Sequence, residues 1–167
     1  MLWKVTVSDQ RTMRGGDATV ADHRQVLLIG YEGRGARDFV QVLHREGVTV
    51  LVDVRRQARS RKRGFSKSAL RDLLETHGIS YCHRPELGPP KDVLAAYRLH
   101  QDWPQFEKAY ASYIDEGAQD SLAELVRLAV DETVCLMCVE ADAARCHRGL
   151  LGQFLRSTDR GVPVRAV

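Results

Sequence analysis

A three-layer α/β/α fold, built on a mainly parallel sheet of about five strands, is predicted by three observations. Short apolar runs alternate along the chain with amphipathic helical stretches, the pattern of successive β-α-β units. Several helical stretches stop at a glycine, as at Gly47 and Gly78. The length of 167 residues fits one domain, since typical domains hold about 100–150 residues.

Taken in order, residues 1–24 contain a possible strand, "LWKVTV", and then a polar, Gly-Gly-containing piece expected to be a mobile arm. The regular pattern fills residues 25–167. "QVLLIG" is a buried strand ending in Gly30. "ARDFVQVLHREG" places Phe39, Val42 and Leu43 at helical spacing. "VTVLVDV" is a β-branched second strand. "SKSALRDLLETHG" is a helix with Ser66 as its N-cap and Leu70, Leu73 and Leu74 on its apolar side. "ISYCH" is a third strand. The prolines of "RPELGPPKD" predict an irregular loop. Helical stretches follow in "VLAAYRLH", "WPQFEKAYASYIDEG" and "SLAELVRLAV", where Trp103, Phe106 and Tyr110 read as core. "TVCLMCVE" is the fourth strand, His147 to Arg156 the last helix, and "GVPVRAV" a fifth strand.

A hydrophobic fraction of 44% is enough for a core without covalent staples. No apolar run approaches the roughly 18–20 residues of a membrane span, and the N-terminus lacks a secretory apolar core. A cytoplasmic, membrane-free protein is expected, with Cys82, Cys135, Cys138 and Cys146 reduced. The total charge of +3 is modest, but its distribution is not. Arg55 to Lys67, "RRQARSRKRGFSK", holds seven basic residues and no acid, so the rest of the chain is net negative.

Ligands of an open parallel sheet bind beyond the carboxyl ends of its strands. Residues following the strands are therefore the candidates: the glycine turn "GYEGRG", then Asp53 and Arg55, then His83, then Cys138, Glu140, Cys146, His147 and Arg148. The turn is neither a Walker nor a dinucleotide fingerprint, and its glycines serve either a tight turn or the close approach of a ligand. The basic segment can follow phosphates through Arg55, Arg59, Arg61 and Arg63, with Phe65 and Tyr31 to stack on bases, or can be a solvated loop. Cys135-x-x-Cys138 looks like half of a zinc site, but residues three apart on a strand point to opposite faces, and no metal is assigned. Cys146, at a helix start beside His147 and Arg148, is either a low-pKa nucleophile or a packed thiol. Glu140 is a general acid or base, or the partner of Arg148 or Arg55. His83 is a second proton carrier.

"IGYEGR", "LVDVR", "GFSK", "YCHRPELG" and "LMCVEADAARCHR" together resemble the DUF488 family, a domain of unknown function, from about Val26 onward. The resemblance implies a shared pocket at Gly30, Tyr31, Asp53, Arg55, Ser60, Phe65, Tyr81, His83, Leu87, Gly88, Cys138, Glu140, Cys146, His147 and Arg148. Cys82 and Cys135 fall where relatives carry aliphatic residues, and a proline usual near Ala58 is missing. Labels on some relatives imply DNA repair.

The expectation is a nucleic-acid-associated protein, an enzyme of hydrolase or base-modifying type acting on a base or nucleotide, without cofactor. Cys146, Glu140, His147, His83 and Asp53 would be catalytic. Tyr31, Arg55, Arg59, Arg61, Arg63, Phe65, Tyr81, Cys138 and Arg148 would bind substrate. The partner is nucleic acid, DNA ahead of RNA, or a phosphorylated small molecule. Two alternatives stand beside it: an enzyme using Cys146 as nucleophile on an anionic metabolite, and a non-catalytic anion- or nucleic-acid-binding module.

Overall fold

The computed structural model describes residues 25–157 and 162–167, and the strand and arm expected over residues 1–24 lie outside them. The apolar runs form β1 Val26–Gly30, β2 Val50–Asp53, β3 Ser80–His83, β4 Val134–Cys138 and β5 Val164–Ala166. Between them lie α1 Ala36–Arg45, α2 Lys67–Glu75, α3 Lys91–His100, α4 Trp103–Gly117, α5 Gln119–Asp131 and α6 His147–Ser157. The expected irregular proline loop contains a one-turn 3-10 segment, Pro85–Leu87. Pro85 sits at the start of that turn, where a missing N–H costs nothing, and Pro90 is the residue that caps α3.

All strand pairs are parallel, in the order β3-β2-β4-β1-β5. Alternation divides each strand between two cores. On one face Leu27, Ile29, Leu51, Cys135 and Met137 meet Phe39 and Leu43 of α1 and Leu70 and Leu74 of α2. On the other, Val26, Leu28, Val52, Leu136 and Cys138 meet Tyr110 and Ile114 of α4, Leu122 and Leu125 of α5, and Leu151 and Leu155 of α6. Phe106 and Tyr110 are buried in the core as expected, while Trp103 is half-buried and packs against it, stacked on Phe106 with ring centroids 5.2 Å apart.

Gly30 pairs with Cys138, and Asp53 with both Met137 and His83, so the four strand ends emerge along one edge. The helix after β2 leaves to one face and the helix after the adjacent β4 to the other. A crevice opens at such a divergence. Among the described residues no helix is long and apolar enough to cross a membrane.

Candidate functional site

The loop after β4 bends back across the end of β1. Tyr31 N donates to the Cys138 carbonyl at 3.3 Å and Glu32 N to that of Val139 at 2.9 Å. A Cβ on Gly30 would lie 1.9 Å from the Glu140 carbonyl oxygen, so only glycine permits the crossing. The glycine thus accommodates the chain's own backbone, which fixes where Glu140 begins.

At the end of β2, Arg55 turns inward. Its Nε donates to Asp53 Oδ1 at 2.8 Å and its Nη2 to Oδ2 at 2.6 Å, a two-pronged ion pair with both side chains buried. Nη1 reaches the Phe65 carbonyl at 3.0 Å and the Tyr31 hydroxyl at 3.2 Å, and the Tyr81 hydroxyl donates to Asp53 Oδ2 at 2.6 Å. Burial works against the Arg55 charge, and the Asp53 carboxylate outweighs it, holding the guanidinium above its ordinary pKa. Burial and the Asp53 charge together raise Tyr81. Phe65 is fully buried, stacked on Tyr31 at 4.4 Å and edge-on to Phe39. Asp53, expected to do proton chemistry, and Arg55, Tyr31, Phe65 and Tyr81, expected to meet substrate, thus form one network, whose Tyr31 hydroxyl also donates to Ser60 Oγ at 3.4 Å. It pins the basic loop to the sheet.

The end of β4 and the start of α6 form a second cluster. Cys138 Sγ lies 3.9 Å and Cys146 Sγ 3.8 Å from His147 Nδ1, and Cys146 Sγ donates to Glu140 Oε2 at 3.1 Å. His147 Nε2 is 3.0 Å from the Val54 carbonyl. A carbonyl only accepts, so Nε2 carries hydrogen, and in the neutral ring Nδ1 turns a lone pair toward the two sulfurs. Cys138, Cys146 and His147 are all buried, and one ligand atom from each falls within 4.8 Å of the others. The Cys138 sulfur beside it and burial push the Cys146 thiol well above its ordinary value. That is opposite to the lowered pKa expected of a thiolate at a helix start. Burial opposes ionisation of Glu140, yet hydrogen bonds from Cys138, its own backbone and Cys146 outweigh it and hold the carboxyl below its usual range.

A cleft of about 700 Å³ opens on this cluster. Cys138, Val139, Glu140 and His147 form one wall. Leu94, Tyr97 and Arg98 of α3, with Pro89 and Lys91 before them, form another, and Arg56, Gln57 and Arg59 the third. Arg56 is braced by the Pro85 carbonyl at 3.3 Å and the Tyr113 hydroxyl at 3.1 Å. With Arg55 neutralised by Asp53, the cleft still carries Arg56, Arg59, Lys91 and Arg98 against one carboxylate among its described lining residues, Glu140. Arg59 also borders a shallower groove lined by Ser60, Ser66, Lys67, Ser68 and Arg71.

Of the expected site residues, the cleft gathers Arg55, Arg59, Cys138, Glu140 and His147. Cys146 lies beneath it, 3% exposed and not on its wall. His83 is half-buried, its Nε2 2.9 Å from the Arg55 carbonyl, and it does not line the cleft. Arg61 and Arg63 are exposed and line neither the cleft nor the groove. Arg148 is buried, with Nη2 donating to the Ala141 carbonyl at 3.0 Å. Lys91, Leu94, Tyr97 and Arg98 were not anticipated. Their spacing puts Lys91, Leu94 and Arg98 within reach of one helix side, a signal "KDVLAAYRLH" does carry.

The family model described as "Domain of unknown function DUF488" matches residues 35–155, which include the cluster, the cleft and the ion-pair network apart from Tyr31. No curated protein and no solved structure matches the chain.

Proposed function

The chain belongs to the DUF488 family, whose description names no reaction, and from the site itself we propose an enzyme acting on a nucleotide within a nucleic-acid strand. One observation carries this reading: a single cleft joins the Cys138–Glu140–His147 wall to Arg56, Arg59, Lys91 and Arg98. Its volume suits a nucleotide-sized ligand, since small-molecule sites run from about 300 to 1,000 Å³. Four cations suit phosphate oxygens, and the apolar faces of Leu94 and Tyr97 suit a base.

A strand rather than a free nucleotide is favoured by the neighbouring groove. Arg59 leads from the cleft to Lys67 and the serines at the start of α2. Lys67 N is taken by the Ala58 carbonyl at 2.9 Å, but Ser66 makes no side-chain cap there and the first turn holds no acid, so the start of α2 suits a second phosphate. A base drawn from the strand into the cleft would meet Glu140 as an ionised proton acceptor and Cys138 as the thiol on the wall. The base is already unpaired in a single strand and costs less to draw out, so single-stranded substrates are preferred.

The test is binding of a labelled single-stranded oligonucleotide at low salt. Wild-type protein is expected to bind with a steep salt dependence. Arg59→Ala, Lys91→Ala and Arg98→Ala should each weaken binding, and the triple variant should abolish it. Undetectable affinity, or affinity indifferent to the triple change, overturns the reading.

A further inference from the structure

We propose that Cys138 Sγ, Cys146 Sγ and His147 Nδ1 bind a zinc-class divalent metal ion at the floor of the cleft. This goes beyond the proposed nucleotide chemistry and does not depend on it. The donor set is the first argument. Two thiols and an imidazole suit zinc and its borderline-soft neighbours, and not magnesium or calcium. All three residues are buried, with their ligand atoms within 4.8 Å of one another.

Geometry is the second argument. With Zn–S of about 2.3 Å and Zn–N of about 2.0 Å, a tetrahedral angle separates sulfur from nitrogen by about 3.5 Å. The sulfurs stand 3.9 and 3.8 Å from Nδ1, a few tenths of an ångström beyond that separation, and the two sulfurs lie within 4.8 Å of each other, so a modest inward closure of the three side chains would complete the site. The third argument is the imidazole's other nitrogen. Nε2 lies 3.0 Å from the Val54 carbonyl, and a backbone carbonyl in that position is a usual outer partner of a metal-bound histidine. It fixes Nδ1 as the free lone pair.

Adjacent residues seldom converge on one ion, and here the backbone explains how they do. Cys146 is extended, with φ −138° and ψ 143°, at the end of a one-turn 3-10 segment, while His147 is already the first residue of α6. The change of direction between them turns both side chains to the same side. Cys135, the other half of the apparent sequence motif, is buried in the opposite core and takes no part.

Binding converts two thiols to thiolates and releases their two protons to solvent. The hydrogen bond from Cys146 Sγ to Glu140 Oε2 is then lost, freeing Glu140. Three protein ligands leave a fourth position, on the side where Cys138, Glu140 and His147 border the cleft. That is the pattern of a catalytic rather than a structural zinc site.

The experiment is titration of metal-stripped, reduced full-length protein with cobalt(II), without nucleic acid. One equivalent should produce tetrahedral visible bands and a thiolate-to-cobalt charge-transfer band, and excess zinc should bleach both. Cys138→Ser, Cys146→Ser and His147→Gln should each weaken cobalt binding at least tenfold, while Cys82→Ser should not. Alkylation of Cys138 in the wild type covers the case in which a variant fails to fold. Zinc should slow it at least tenfold and a chelator should restore it. Absence of the charge-transfer band, or a Cys138 alkylation rate indifferent to zinc, overturns the proposal.

Discussion

Arg55 and Asp53, two residues apart at the end of β2, close a two-pronged ion pair at 2.8 and 2.6 Å inside the protein, with both side chains buried. Removing one buried charge leaves the other without compensation. Arg55→Leu is therefore expected to destabilise the fold by about 3–5 kcal/mol, read by urea unfolding. If Arg55 instead held substrate, this variant would lose binding with little change in stability.

Tyr81→Phe tests the same network more gently. It removes a hydroxyl that donates to Asp53 Oδ2 at 2.6 Å and leaves the ring in place. A hydrogen bond to a charged group is worth about 1.5–3 kcal/mol, and that loss should appear in the unfolding midpoint. Combined with Arg55→Leu the effects should fall short of additivity, because both changes act on one carboxylate.

Gly30→Ala should damage the site through the backbone. Its Cβ would press on the Glu140 carbonyl oxygen at 1.9 Å, so the loop carrying Glu140 must move. The expected cost is about 1–3 kcal/mol, together with impaired oligonucleotide binding, measured by thermal unfolding and by titration. Wild-type stability in this variant would contradict the tight crossing of β1 by that loop.

Thiol reactivity should follow the two cores. Burial pushes the Cys135 thiol far above its ordinary pKa, and the residue is fully buried against α1 and α2. Cys82 is half-buried and Cys138 lies on the cleft wall. Alkylation mapped by mass spectrometry should label Cys82 and, in metal-free protein, Cys138 in the native state, and reach Cys135 only on unfolding.

These details mark where the sequence was readable. Alternation along "VCLMC" separates Cys135 from Cys138, and the structure places them in opposite cores. The ends of β1, β2, β3 and β4 share an edge as the strand–helix alternation implied. Direction of a side chain at that edge was not readable. Arg55 sits in a basic run yet points inward, because Asp53 two residues earlier supplies a buried carboxylate that only three-dimensional packing reveals. Phe65 likewise reads as an exposed aromatic among charges and is sealed against Tyr31 and Phe39. The contribution of α3 is not carried by the strand ends, because this helix brings Lys91, Leu94, Tyr97 and Arg98 to the cleft from a separate element. Convergence of Cys146 and His147 depends on the backbone turn between them, which residue types alone do not specify.

Position in the cleft should also rank the arginines. Arg59 borders both the cleft and the groove, whereas Arg61 and Arg63 border neither. Arg59→Ala should reduce oligonucleotide affinity about tenfold and flatten the salt slope by about one phosphate contact. Arg61→Ala and Arg63→Ala should each change affinity by much less. Equal losses at all three would indicate a diffuse basic surface.

The most direct measurement is a crystal structure of the protein with a short single-stranded oligonucleotide. The account predicts one base inside the cleft, between Leu94 and Tyr97 on one side and Cys138, Glu140 and His147 on the other. Flanking phosphates should lie at Arg59, Lys91 and Arg98 and at the start of α2. Nucleic acid bound elsewhere, with the cleft holding neither base nor phosphate, would contradict it.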